Sequence, residues 1–168
     1  MSVITTANPK THFARLGSVL YRFQGQLADL YRVGIFAEGL RYHNDFEGTI
    51  IEGPFTGGRL FGLDQFMVRP DGVGVIIAHE IVEHDDVKVW IDLRGYVVPP
   101  EDAPSIPLEA LLDPTFVFPD ADFRVTGAAM ARTDSAEWAH LNRSTVVVEG
   151  TANLGTGALD VTARIVER

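Results

Sequence analysis

The chain has 168 residues, of which 46% are hydrophobic, and it carries a formal net charge of −9 with no cysteine. This size and composition exclude a disordered chain, and the acidic balance disfavours nucleic acid and anionic membranes as partners. Disulfides and thiolate chemistry are excluded, and with neither a signal-peptide pattern nor an apolar run of about 20 residues we expect a cytoplasmic protein.

The amino-terminal part predicts a polar arm followed by strands. Residues 1–12 are polar and form the expected arm, which leaves 13–168 as a single β-barrel domain. Apolar residues between 13 and 36 have spacings that suit either a helix or strands. Three glycines in this segment weaken a helix by about 1 kcal/mol each relative to alanine. We therefore favour strands joined by a turn around 26–29.

Short strand-like segments follow, separated by turn residues. Gly57-Gly58 marks a turn between strands at 49–52 and 59–61. Residues 66–98 then predict three strands in succession, because Pro70-Asp71-Gly72 and Asp85-Asp86 supply two turns. These three strands are expected to end near 69, to cover about 73–84 and to cover about 87–98.

The remaining third predicts a loop, one short helix and several strands. Residues 99–107 contain four prolines and are expected to form a surface loop or a lid. Residues 107–112 suit a short helix that begins at a proline. Strand-like segments are found at 115–118, 122–125, 145–150 and 159–166. About ten short strands with almost no helix predict an all-β antiparallel barrel or sandwich.

The order of several motifs resembles that of a bacterial family of small β-barrels known only as a domain of unknown function. The motifs are Gly57-Gly58-Arg59, Asp64, Val68-Arg69-Pro70-Asp71-Gly72, Arg94-Gly95-Tyr96 and Trp138-Ala139-His140-Leu141-Asn142-Arg143. The resemblance covers roughly Gly48 to the carboxyl terminus. It implies a calycin-like antiparallel barrel of about eight to ten strands with one short helix, similar in outline to lipocalins and allene oxide cyclases.

The chain departs from the pattern of that family at several places. His79-Glu80 stands where an Arg-Tyr pair is common, and Gln65 stands where a tryptophan is common. Thr115-Phe116-Val117-Phe118 replaces an expected aromatic pair and arginine. If these positions carry the chemistry of the lumen, the resemblance implies a different activity for this chain.

The segment from His79 to His84 has two histidines and two glutamates in six residues, which invites a metal site. A chelating pair of histidines needs both side chains on one helical face. The β-branched composition favours a strand, on which His79 and Glu83 face one way while Glu80 and His84 face the other. We therefore predict no metal, and we place His79 in the lumen or at a subunit interface.

The third of the central strands offers two alternating rows of side chains. Asp92, Arg94 and Tyr96 share one face with Trp90, and an apolar row that includes Ile91 occupies the other. If the charged row faces the lumen, a desolvated Asp92 could serve as general acid or base, and Arg94 could hold an anionic group. If the apolar row faces inward, the charged row is an ordinary surface pair.

Four further residues are candidates for a ligand site. Arg69 ends a strand, and the family resemblance makes it a lumen candidate. Trp138 could stack on an aromatic ligand, and Asn142 could form a hydrogen bond near the mouth of a barrel; the alternative is a core tryptophan and a capping asparagine. Glu52, at the end of a predicted strand, is a further candidate for substrate binding.

These patterns favour an acid–base enzyme that needs no cofactor, a lyase, isomerase or cyclase. It would act on a small, apolar and aromatic molecule inside the barrel, with His79 or Asp92 moving the proton and Arg69 or Arg94 stabilising negative charge. Tyr96, Trp138, Asn142 and Glu52 would bind the substrate. The alternatives are a lipocalin-like carrier or sensor, and a barrel that functions through assembly. The expected partners are a small molecule and further copies of the chain, with neither nucleic acid nor membrane.

Overall fold

The computed structural model describes residues 15–103, 106–107, 109–113 and 115–167, so the predicted arm at 1–12 lies outside the described residues. Within them the chain forms nine strands and two single turns of 3₁₀ helix. The strands are β1 Arg15–Leu27, β2 Tyr31–Phe36, β3 Gly39–Glu52, β4 Arg59–Val68, β5 Gly74–His84, β6 Val87–Val98, β7 Asp122–Arg132, β8 Thr145–Asn153 and β9 Ala158–Glu167. The 3₁₀ turns cover Ala110–Leu112 and Ala139–Arg143.

Eight of the strands close into an antiparallel barrel. Their order is β1-β9-β8-β7-β6-β5-β4-β3, and β3 pairs with β1 to complete the ring. The ninth strand, β2, pairs with β3 beyond the end of β1. The prediction of an all-β antiparallel barrel is therefore confirmed. None of the helical segments among the residues that the structure describes is long and apolar enough to span a membrane.

The turn predicted around 26–29 does not reverse the chain. Both β1 and β2 run antiparallel to β3, so the chain continues along the same neighbour after residues 28–30. The strand predicted at 115–118 is also wrong. Residues 115–118 form no strand, and instead the rings of Phe116 and Phe118 pack on each other, and that of Phe118 also packs on Tyr42, at the end of the barrel.

Barrel closure depends on a close approach of two backbones. Gly25 of β1 lies opposite Gly48 of β3. A Cβ atom at Gly48 would lie 2.2 Å from the carbonyl oxygen of Gln24. No side chain fits at this distance, so glycine allows β1 and β3 to pair and the ring to close.

The alternation of side chains decides which residues lie inside the barrel. In β6 the row that includes Val89, Ile91 and Leu93 is buried, and Trp90 and Tyr96 point outward. An inward apolar row minimises the apolar surface that remains in contact with water, so the hydrophobic effect selects this register. The same alternation in β3, β4 and β5 fills the interior from the other wall.

The two ends of the barrel differ. At the end where β5 finishes, the rings of Phe55 and Trp138 pack at a centroid distance of 4.8 Å above the buried Leu141. At the opposite end the connection between β6 and β7 crosses the barrel. There Leu111 is buried, and the ring of Phe118 lies 6.2 Å from that of Tyr42. The described part of the β6–β7 connection thus covers one end of the barrel. The loop or lid predicted at 99–107 includes residues outside the described ranges and stays a prediction.

Candidate functional site

A cavity lies inside the barrel between its centre and the end that the β6–β7 connection covers. Its volume is about 70 Å³, well below the range of about 300–1,000 Å³ for sites that hold drug-sized molecules, so it suits only a small ligand. Its apolar lining residues are Phe23, Leu27, Leu30, Phe46, Leu60, Phe66, Ile76, Ala78, Leu93, Val97, Val125, Ala152, Leu154, Leu159 and Val161.

Four polar side chains interrupt this apolar lining. Tyr21 comes from β1, Asn44 from β3, Asp64 from β4 and Glu80 from β5, and all four are buried. The strand register brings them together, because Asn44 lies directly opposite Asp64 across β3 and β4. Asp64 in turn lies opposite Ala78, two residues before Glu80 on β5. Side chains at such direct and diagonal positions are neighbours on one face of a sheet. We call these four residues the lumen polar cluster.

Glu80 is held by a hydrogen bond inside the barrel. The Tyr21 hydroxyl donates to Oε2 of Glu80 at 3.0 Å. Burial of the side chain, which is only 5% exposed, raises the pKa of Glu80 to about 7, although the bond from Tyr21 acts in the opposite direction. Burial and the neighbouring Glu80 also raise the pKa of Tyr21, so its hydroxyl keeps its proton and remains a donor.

Asp64 is also buried, with a relative exposure of 9%, but no side chain donates a hydrogen bond to it in the described part of the chain. Burial raises the pKa of Asp64 to about 8; a hydrogen bond with the backbone of Ile77 opposes this shift, and the nearby Glu80 adds to it. Its Oδ1 atom has no hydrogen-bond partner in the described part of the chain. A carboxyl that titrates near neutral pH can gain or lose a proton with little change in free energy. Asp64 and Glu80 together therefore form a pair able to exchange protons with a bound molecule.

Asn44 adds an uncharged polar group to the same wall. Its side chain is buried, and neither Oδ1 nor Nδ2 has a hydrogen-bond partner among the residues described. A buried amide without partners costs about 1–3 kcal/mol per unsatisfied group. Such groups in native proteins therefore nearly always form a hydrogen bond with the protein, with an ordered water or with a bound molecule. The amide offers one acceptor and two donor hydrogens beside the Asp64 carboxyl.

The lumen polar cluster contains acids, a phenol and an amide, and no basic side chain lines the described cavity. Over the described ranges no group of three or more His, Asp or Glu side chains could hold a metal ion. The chemistry available to these side chains is thus hydrogen bonding and proton transfer.

The central candidates from the sequence lie outside the barrel. The side chains of His79 and Arg94 are 45% and 69% exposed, and Tyr96 is half exposed. Asp92 is partly buried on the same outer face, where its Oδ1 atom lies 3.9 Å from His79 Nε2 and 3.9 Å from Arg94 Nε. Of the two alternatives left open for the charged row of β6, the structure therefore shows the outward-facing one, because the apolar row occupies the interior. His79 likewise faces outward, so its predicted position in the lumen is wrong and its position at a subunit interface stays a prediction.

The other candidates do not meet in the cavity either. Arg69 pairs with Asp71 at 2.6 Å within an exposed turn, and Glu52 is exposed at the opposite end of the barrel. Trp138 packs on Phe55, and Asn142 exchanges hydrogen bonds with the backbone of Thr133 at 2.8 and 2.9 Å. Trp138 thus packs, partly buried, against the core at the end of the barrel where β5 finishes, which we call the plugged end. Asn142 lies inside the second 3₁₀ helix and does not cap it, so the predicted capping role of Asn142 is wrong.

One sequence signal could have identified Glu80. The parity of the strand places Glu80 opposite in orientation to His79, in the row with Ile76, Ala78 and Val82. A single glutamate within such an apolar row is a charged residue at a core position, which is rare without a function.

Comparison with known proteins supports the fold. No protein-family model and no curated protein matches the chain. A β-barrel-like protein from Acinetobacter baumannii is similar in structure, with a TM-score of 0.72 and 22% identity over 95% of this chain and 100% of that one. A protein of unknown function from Clostridium acetobutylicum gives a TM-score of 0.70 and 19% identity over 92% of this chain and 100% of that one.

A third similar structure is described as an enzyme from Penicillium herquei. Its TM-score is 0.58, with 18% identity over 96% of this chain and 100% of that chain. At these identities the similarities show the shared fold alone. The structures thus support a β-barrel like those of proteins of unknown function, and the narrower family resemblance stays a prediction.

Proposed function

We propose that the barrel lumen is an acid–base site that transfers a proton within a small, largely apolar molecule, as a lyase, isomerase or cyclase would. The observation that carries the proposal is the pair of buried carboxyls, Asp64 and Glu80, in one apolar cavity. Burial raises both pKa values into the range from about 7 to about 8, where a side chain serves equally well as acid or base.

The surroundings of the two carboxyls suggest different roles. Glu80 accepts a hydrogen bond from Tyr21, which favours its ionised form and makes it the base. Asp64 lacks a hydrogen bond at Oδ1 and has the higher pKa, which favours its protonated form and makes it the acid. Asn44 would orient a polar group of the substrate. Tyr21 is a positioning residue that acts through Glu80.

A carrier or sensor without turnover is the second candidate. Fifteen of the nineteen residues that line the cavity are apolar, which suits a site that holds a ligand without converting it. The two functions differ in the role of the carboxyls, because a carrier needs no residue that exchanges protons.

The test begins with thermal-shift screening of small apolar compounds, since a ligand of the native state raises its stability. Each stabilising compound is then incubated with the protein in D₂O, and NMR follows deuterium incorporation or product formation. We expect turnover that falls by a factor of about 10²–10⁴ in Glu80→Gln and Asp64→Asn. The matched controls are Glu83→Gln, on the outer face of β5, and Asp45→Asn, on the outer face of β3.

Both control variants should keep the wild-type rate. If the compounds bind but undergo neither exchange nor conversion, the protein is a carrier. If turnover survives unchanged in Glu80→Gln and in Asp64→Asn, proton transfer does not depend on these carboxyls and the proposal fails.

A further inference from the structure

Every ionisable side chain that faces the described cavity is an acid. β1 supplies Tyr21, β4 supplies Asp64 and β5 supplies Glu80, whereas the lining residues of β6, β7, β8 and β9 are apolar. The basic side chain His84 lies on the inward row of β5 but outside the cavity lining, at the plugged end of the barrel, with its ring 6.3 Å from that of Phe55. A bound anion would therefore meet two carboxyls and no compensating positive charge.

The unsatisfied atoms of the cluster are two acceptors and one donor, Nδ2 of Asn44. The two acceptors, Oδ1 of Asp64 and Oδ1 of Asn44, are buried without partners in the described structure, and Asn44 lies directly opposite Asp64 on the adjacent strand. Glu80 adds carboxylate oxygens on the neighbouring strand. An ammonium group has three N–H donors and no acceptor, so it complements such a set. Its hydrogen bonds to carboxylates are charge-assisted and stronger than neutral ones.

We propose that the ligand of the lumen is a small apolar amine, bound as its ammonium ion by Glu80, Asp64 and Asn44, with its hydrocarbon part against the apolar lining. This inference rests on the proposed function in that the amine would be the substrate of the same site. An amine ligand also means that the site stabilises a positive charge rather than a negative one.

If the ligand is an ammonium ion, its binding should release protons from the lumen carboxyls. The carboxyls of Asp64 and Glu80 bind protons up to pH of about 8 and about 7 in the free protein. An adjacent ammonium ion favours their ionised forms, so amine binding lowers both pKa values and releases a proton from Glu80 before Asp64, because Glu80 has the lower pKa. Amine affinity therefore rises with pH, by up to about tenfold per unit for each proton released, until the carboxyls are ionised. Carboxylate ligands should show the opposite slope.

The experiment uses two matched ligand sets, benzylamine, benzyl alcohol and benzoate, and hexylamine, hexan-1-ol and hexanoate. Calorimetric titration of the wild-type protein is carried out at pH 6, 7 and 8, in two buffers with different ionisation enthalpies. We expect the amine to bind at least tenfold more tightly than the alcohol at pH 8 and the carboxylate to bind most weakly. The buffer dependence of the heat should show net proton release for the amines.

Isosteric variants test whether the lumen polar cluster causes the preference for amines. Glu80→Gln and Asp64→Asn should each reduce amine affinity about tenfold or more with little effect on the alcohols, and Glu83→Gln and Asp45→Asn should keep the wild-type order. The wild-type proton count tests the proposal even if a lumen variant fails to fold. Failure of both amines to bind, an alcohol or carboxylate that binds as tightly as its amine, or proton uptake with the amines would overturn it.

These outcomes are separable from those of the proposed function. An amine preference without conversion of any amine refutes proton-transfer catalysis and leaves the amine site standing. Conversion of a neutral or anionic compound that depends on Glu80 supports catalysis and refutes the amine site.

Discussion

The inner and outer faces of strands β4, β5 and β6 carry similar ionisable side chains in opposite surroundings. Inside, Glu80 and Asp64 are buried in an apolar cavity, and burial raises the pKa values of both. Outside, His79 and Arg94 reach solvent, each 3.9 Å from Oδ1 of Asp92, and the ring of His79 stacks on that of Trp90. His79 and Glu80 are adjacent in sequence, yet the pleat of one strand separates them completely.

The difference shows that a dense cluster of reactive residue types in a sequence does not indicate where reactivity lies. The outer cluster has more ionisable groups, but water reaches His79 and Arg94 and screens their interactions with Asp92, although Oδ1 of Asp92 is itself buried. The inner cluster has fewer groups, but each is desolvated, so small contacts have large effects on protonation. Substitutions on the two faces, compared in pairs, measure this contrast.

The largest expected effect concerns the pH dependence of stability. The folded-state pKa values of Asp64 and Glu80 are raised to about 8 and about 7 from 3.8 and 4.5. Their contribution to stability is fully present below the unfolded-state values and is lost as pH rises through the folded-state values. The free energy of unfolding should fall by several kcal/mol, on an order-of-magnitude scale, between pH of about 4 and about 8.

Urea denaturation at several pH values measures this slope. The double variant Asp64→Asn with Glu80→Gln should flatten the curve, and the outer-face pair Asp45→Asn with Glu83→Gln should not. A wild-type curve that stays flat from about pH 4 to 8 would show that the two carboxyls ionise normally.

The two rows of β6 provide the second contrast. Ile91→Ala removes a fully buried side chain and should lower the free energy of unfolding by about 2–5 kcal/mol. Tyr96→Ala, on the outer row, should cost less than about 1 kcal/mol. Chemical denaturation measures the free energy of unfolding of both variants. Equal losses in the two variants would contradict the assignment of Ile91 to the inner row and Tyr96 to the outer row.

The third contrast is between two tyrosines. Tyr21→Phe removes the hydroxyl that donates to Glu80 and should cost about 1–3 kcal/mol at pH 8, where Glu80 is ionised. At pH 5 the cost should be smaller, because a protonated Glu80 needs that donor less. Tyr96→Phe on the outer face should change stability by less than about 0.5 kcal/mol at either pH. A pH-independent cost of Tyr21→Phe would argue against an ionisable Glu80.

The smallest effect is expected at the outer ion pair. The Nε atom of Arg94 lies 3.9 Å from Oδ1 of Asp92, and its side chain is mostly exposed. Arg94→Ala should therefore change the free energy of unfolding by less than about 0.5 kcal/mol. The same denaturation assay checks it, and a cost above about 2 kcal/mol would give the outer face a structural role.

The sequence predicts the fold well where local signals are strong. Alternating side chains and turn residues locate the three central strands, and the predicted third strand at about 87–98 matches β6. Barrel closure itself has no local signal, because it depends on β1 reaching β3 across a glycine contact. The full length of β3 could not be predicted from the sequence either, because only its end at 49–52 has a β-branched pattern.

The candidate site was less predictable for the same reason. Asn44 and Asp64 become neighbours only through the long register of β3 with β4. The choice between the two rows of β6 depends on which one the closed barrel buries. Glu80 had a local signal, a glutamate in an apolar row, and Asp64 appeared only as one residue of the family resemblance.

The central claim is that Asp64 and Glu80 titrate near neutral pH inside the barrel. Carbon-detected NMR of the side-chain carboxyls, followed from about pH 3 to 10, tests it directly. We expect two carboxyl signals with midpoints near 8 and near 7, the first missing in Asp64→Asn and the second in Glu80→Gln. Midpoints below about 5 for every carboxyl would contradict this claim, because the lumen would then hold ordinary ionised acids.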